Sequence, residues 1–126
     1  MAMPPPIEAS TQDLVPLLDE RAMSDWCTDI DKDDVLAILA SVPDECRRNI
    51  AEIERAIAEG SLAASKRAAH RLKGMAGNLG AARLAQSARD IELKSDSIED
   101  VVGRMASLQE TLTGTLAALD LAAHSR

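Results

Sequence analysis

The chain contains no Phe and no Tyr, and Trp26 is the one aromatic residue among its 126. Nucleic-acid binding is disfavoured by that shortage, because bases need aromatic faces to stack on. A core made of Ala, Leu, Ile, Val and Met also favours close-packed helices over a sheet, since the best strand formers are scarce. Cysteine is equally thin. Cys27 and Cys46 are too few and too unpatterned for a disulfide framework or a metal site, and the two histidines, His70 and His124, lie far apart in sequence. No metal of its own is expected. No apolar run reaches the length of a membrane span, and the opening residues MAMPPPIEAS have neither the basic region nor the hydrophobic stretch of a secretory signal. A soluble, cytoplasmic protein is the expectation, with no membrane and no nucleic acid among its partners. A phosphate loop of the G-x-x-x-x-G-K-[ST] type is missing as well, which argues against self-phosphorylation from ATP.

Acidic residues are abundant overall, giving a net charge of −7, yet none occurs between Gly60 and Arg89. That window holds Lys66, Arg67, Arg71, Lys73, Arg83 and Arg89, so its six cations leave the rest of the chain at −13. A basic face on an acidic body steers toward an acidic partner surface.

Residues 66–80, KRAAHRLKGMAGNLG, make the basic window specific. At about 100° per residue, Ala63, Lys66, Arg67, Lys73, Gly74 and Gly77 fall within roughly 60° of His70. Ser65, Ala68, Leu72, Met75, Ala76 and Leu79 cluster on the far side, a face for the core. Glycine in a helix interior is less favourable than alanine by about 1 kcal/mol. Two of them beside a histidine clear the surface for close approach by another macromolecule. Lys66, Arg67 and Lys73, at i−4, i−3 and i+3, are neighbours able to offset the charge of a phosphoryl group on the ring. The pattern reads as a phosphoacceptor site.

The run AAHRLKGMAGNLGAARLAQSARDIE resembles the histidine-containing phosphotransfer (HPt) domains of multistep phosphorelays. The residues that carry the resemblance are Ala69, His70, Leu72, Lys73, Gly74, Ala76, Gly77, Gly80, Leu84, Ile91 and Glu92. Met75 stands where the family more often has Ser or Ala, and its position on the helix points it toward the core. The resemblance implies that His70 takes phosphoryl from a receiver-domain aspartate and passes it to another receiver. It further implies that the chain is a carrier with no cofactor of its own, the receiver supplying Mg2+. A monomer is expected, since His70 must be free to meet its partner.

The rest of the chain agrees with an all-α, antiparallel four-helix bundle preceded by a short extra helix. Residues 1–12, with Pro4, Pro5 and Pro6, form a disordered lead to one domain over 13–124. A short helix carrying Trp26 is expected between Leu14 and Asp29, capping one end of the bundle. Asp31 or Asp33 caps the next, which runs through Val35, Leu36, Ile38 and Leu39. Pro43 either kinks that helix or divides it; one bent helix is favoured. Its stripe continues through Ile50, Ile53 and Ile57 to a stop at Gly60. Ser61 caps the histidine helix, which runs to about Asn78, and Asn78-Leu79-Gly80 makes the turn, Gly80 serving as a turn residue alone. A helix over about Ala82–Lys94 buries Leu84, Ala88 and Ile91. Ser97 and Asp100 resemble an N-terminal capping pair for a last helix from Ile98 to about Ala122. Its core positions are Val101, Met105, Leu108, Leu112, Leu116 and Leu119, near heptad spacing.

His70 lies ten residues before Gly80 and Glu92 twelve after it. Equal helical rises put the two at nearly the same height across the hairpin. Glu92 is therefore the candidate to accept a hydrogen bond from Nδ1–H and leave Nε2 free, with Asp90 and Gln86 as alternatives. Two other readings stay open: a domain of the same fold that only binds and sequesters a receiver, and an unrelated helical adaptor.

Overall fold

The computed structural model describes residues 15–124, and the expected lead over 1–12 lies outside them. Among these residues five helices follow one another: α1 Glu20–Thr28, α2 Lys32–Ala58, α3 Leu62–Leu79, α4 Ala82–Lys94 and α5 Ile98–His124. Among the described residues there is no strand. Short connections make sequential helices antiparallel, and α3 packs on α2 and α4 while α5 packs on α4 and α2, closing a four-helix bundle.

The missing aromatic bulk is replaced by close approach. Ala68, Ala69, Ala76, Ala81 and Ala88 are almost completely buried beside Ile53, Leu72, Leu84, Ile91, Val101 and Leu108. Small side chains at these positions bring the helices near enough for the larger ones to interdigitate. Met75 and Leu116, both expected inside, are only half-buried and pack against the margin of this core.

Glycine and serine set the two ends of α3. Gly60, at φ 70°, ends α2: its N–H donates to Ile57 O and the Ser61 N–H to Ala56 O. Ser61 then caps α3, its hydroxyl accepting from the Ala64 N–H at 3.1 Å. Gly80, at φ 84°, closes α3 with the same paired bonds, Gly80 N–H to Gly77 O at 3.1 Å and Ala81 N–H to Ala76 O at 2.9 Å. The helix reaches Leu79, one residue beyond the expected Asn78. Ser97 caps α5 through the Asp100 N–H at 3.1 Å, and the Asp100 carboxylate reaches back to the Asp96 N–H at 2.8 Å. That is a capping pair displaced by one residue.

The short helix expected between Leu14 and Asp29 is α1, which Asp19 caps through the Ala22 N–H so that it starts at Glu20. Two expectations are corrected. Asp31 occupies the N-terminal position of α2, but its side chain makes no capping bond. Gly80 is more than a turn residue. Its carbonyl accepts from the Asp19 N–H at 2.6 Å, and a Cβ there would lie 2.9 Å from Met23 Cγ. The uncertainty at Pro43 resolves as one continuous helix with the proline inside it. Val42 and Cys46, flanking the proline, are buried, so packing holds the helix through a position that local preference disfavours. Burial also pushes the Cys46 thiol up to about 11.

The end of the bundle at Gly80 is closed by α1. Trp26 Nε1 donates to Leu79 O at 3.0 Å, and Arg83 Nε donates to Val15 O at 2.7 Å. The sole indole thus covers the C-terminal end of the histidine helix, the capping position expected for it.

Candidate functional site

α3 presents two different faces. Ser65, Ala68, Ala69, Leu72, Ala76 and Leu79 are buried. His70 is turned outward, its side chain 62% exposed. Ala63, Arg67, Gly74 and Gly77 are exposed along the same outward side, while Lys66 and Lys73 are half-buried. A Cβ added at Gly74 or Gly77 would meet nothing within 4 Å. Their bare backbone is therefore open surface and not a packing requirement of the bundle.

The α3–α4 hairpin brings Glu92 to His70. Glu92 Oε2 is 2.7 Å from His70 Nδ1, and Lys73 Nζ donates to the other carboxylate oxygen, Oε1, at 2.9 Å. The Lys73 ammonium bonded to Glu92 holds that carboxyl below its ordinary range. Partial burial opposes this and the bond to His70 reinforces it. An ionised carboxylate can only accept hydrogen bonds. In the neutral imidazole the hydrogen is therefore on Nδ1, which donates to Glu92, and Nε2 keeps its lone pair.

The cations beside His70 divide into two sets. Lys73 is engaged with Glu92, and Arg71 pairs with Glu52 of α2. Among the described residues Lys66 and Arg67 make no ion pair. Of the three lysine and arginine residues read as neighbours of a phosphoryl group, two stand unneutralised on the N-terminal side of the histidine. The third acts on Glu92. An open depression lined by Lys66, Arg67, His70, Arg71, Glu92 and Leu93 unites these side chains.

The two alternatives to Glu92 are placed elsewhere. Asp90 is buried and receives a hydrogen bond from Gln86 Nε2 at 2.9 Å, with Lys94 Nζ at 3.4 Å. Reading the sequence did not single out Arg71 or Leu93 as lining the site. Arg71 was recognisable as part of the acid-free window. Leu93 carried a fainter signal, an apolar residue out of phase with Leu84, Ala88 and Ile91.

Among the described residues no group of three or more His, Cys, Asp or Glu side chains is gathered to hold a metal. No helix among them is long and apolar enough to cross a membrane. Chemically, the site offers one oriented nucleophilic nitrogen, a carboxylate able to balance positive charge on its ring, and two unpaired cations within one helical turn. The family model described as Hpt domain matches residues 37–124, more than half of the chain. No curated protein and no solved structure matches it significantly.

Proposed function

The chain belongs to the Hpt domain family, and we propose on that footing that His70 is its phosphoacceptor. Membership gives a histidine phosphotransfer role in phosphorelays, and Hpt domains are phosphocarrier modules rather than kinases. The finer reading is that Nε2 of His70 takes phosphoryl from an aspartyl phosphate on one receiver domain and delivers it to the aspartate of another. The observation that carries it is the His70 Nδ1–Glu92 bond at 2.7 Å on a side chain that is otherwise largely exposed.

In the forward step the Nε2 lone pair forms the N–P bond as the P–O bond to the aspartyl carboxylate breaks. The carboxylate leaves with that electron pair. Nδ1 keeps its proton, so the phosphorylated ring carries positive charge, and Glu92 lies against it to balance that charge. Lys73, bonded to the far carboxylate oxygen, fixes Glu92 in this position. No proton has to leave the site, and the reverse step returns the neutral imidazole.

Positioning and charge neutralisation dominate phosphoryl transfer. Lys66 and Arg67 supply cations toward the phosphoryl oxygens, and Ala63, Gly74 and Gly77 keep the approach clear. The Mg2+ used in such a transfer is expected from the receiver's own acidic site. In this reading the chain works as a monomer in the cytoplasm and does not phosphorylate itself from ATP.

The test is transfer from a panel of phosphorylated receiver domains to the wild type and His70→Gln. Acid-labile, base-stable label is expected on the wild type and none on the variant. Label surviving in His70→Gln would remove His70 as acceptor. Binding of receivers without any label would return the chain to a sequestering module.

A further inference from the structure

Four large apolar side chains are exposed among the described residues: Leu36, Leu93, Val102 and Leu121. Leu93 alone of these lines the depression that holds His70. It is 58% exposed although the neighbouring Asp90 and Ile91 of α4 are buried. Two positions beyond Ile91, it is turned about 200° around the helix, away from the core. It is not among the side chains that pack against the core. A single exposed leucine needs no explanation on an ordinary surface. This one borders a candidate transfer site, next in sequence to the carboxylate that orients the histidine.

Charge identifies what covers it. The depression's one lining carboxylate is engaged, Glu92 holding Lys73 and His70, and its Arg71 is paired with Glu52 of α2. Lys66 and Arg67 are left to be matched from outside. The surface therefore fits a partner with an acidic centre and an apolar residue at its edge. A polyanion such as nucleic acid would satisfy the cations and leave the leucine in water.

We infer that Leu93 is a specificity-determining contact, anchoring a receiver domain through an apolar residue that flanks that partner's acidic site while Lys66 and Arg67 face its acidic rim. This rests on the phosphocarrier reading above. Docking and chemistry are then divided within one depression. His70, Glu92 and Lys73 carry the transfer; Leu93 decides which receivers are held long enough for it. An anchor that is buried only in the complex acts through the encounter and dissociation of partners, leaving the reactivity of the bound imidazole unchanged.

The test compares wild type, Leu93→Ala, Leu93→Asp and Val102→Asp, the last altering an apolar residue of similar exposure outside the depression. The donor is the phosphorylated receiver that labels wild type fastest in a panel. Phosphoramidate, a small donor that needs no docking surface, serves as the second donor. Leu93→Asp is expected to lower kcat/KM with the receiver by about tenfold or more, with the rate at saturating receiver little changed. Leu93→Ala should move in the same direction by less. Phosphoramidate labelling should be equal in all four proteins, and Val102→Asp should transfer as wild type does. Equal kcat/KM for Leu93→Asp and wild type would overturn the inference. So would an equal loss in Val102→Asp, or a matching loss of phosphoramidate labelling. A wild type that no receiver labels would instead defeat the phosphocarrier reading, and this inference with it.

Discussion

Gly80 and Gly74 are six residues apart around the end of one helix, yet they are glycines for opposite reasons. Gly80 has a left-handed backbone, its carbonyl bonds the Asp19 N–H, and a Cβ there would press on Met23 and on the backbone of α1. Gly74 has ordinary helical geometry and open space where a side chain would be. At Gly80 the fold requires the missing side chain. At Gly74 the fold would be better off with one, and the proposed approach of a receiver gives the glycine its reason. α3 is thus clamped at its C-terminal end and left bare along its outward face.

The sharpest way to break this contrast is to give both positions the same methyl group. Gly80→Ala must either adopt the left-handed region, at about 1–2 kcal/mol, or abandon the paired bonds that end α3. It must also displace Met23 Cγ at 2.9 Å and the Asp19 carbonyl at 3.1 Å. Loss of about 2–4 kcal/mol of stability is expected, read from the urea midpoint. A cost near zero would mean that α1 yields freely and does not clamp the turn.

Gly74→Ala should act in the opposite sense. An exposed helical glycine replaced by alanine gains about 0.5–1 kcal/mol, while the added methyl stands on the surface a receiver would cover. A more stable protein that transfers phosphoryl more slowly is the expected outcome, measured by urea denaturation and by rapid-quench labelling. Unchanged transfer would remove the clearance role and leave Gly74 without a reason.

How far the sequence disclosed these features depended on the distance over which each is determined. The outward histidine face of α3 followed from periodicity alone, because a helix phases its own side chains. The height of Glu92 opposite His70 followed from equal rises about one glycine turn, which is still local geometry. Pro43 could not be settled in that way. Whether a helix continues through proline depends on what Val42 and Cys46 bury against, and that is a property of the assembled bundle. The second role of Gly80 depends on Met23 and Asp19, far away in sequence, so its turn was legible and its contact was not. Lys73 shows the same limit at the site. Its spacing from His70 was evident, but a lysine reaching the phosphoryl and one bonded to Glu92 look identical on a helical projection.

Glu92 offers the finest test of the contrast, since on the open face chemistry and stability should separate. Its side chain is mostly buried, 19% exposed, and its ion pair with Lys73 lies near the surface. Breaking such a pair is worth about 1 kcal/mol or less, so Glu92→Gln should fold almost as well as wild type at pH 7. Its pH dependence has a definite sign. The Lys73 bond keeps the folded-state carboxyl below its ordinary range, so the stabilisation is complete above the unfolded-state value and disappears as pH falls through the folded one. The small gap between wild type and Glu92→Gln should therefore close on acidification, as followed by denaturation midpoints between neutral pH and the carboxylate range. Transfer should respond differently. A glutamine can still accept from Nδ1–H through its carbonyl, but it brings no charge to set against the phosphorylated ring. Glu92→Gln is thus expected to retain an oriented histidine and yet hold phosphoryl less well, with a larger effect on labelling than on stability at pH 7. A gap that widened in acid, or labelling indifferent to the lost charge, would show that Glu92 contributes as a polar spacer and that the open face has no electrostatic role in holding the phosphoryl group.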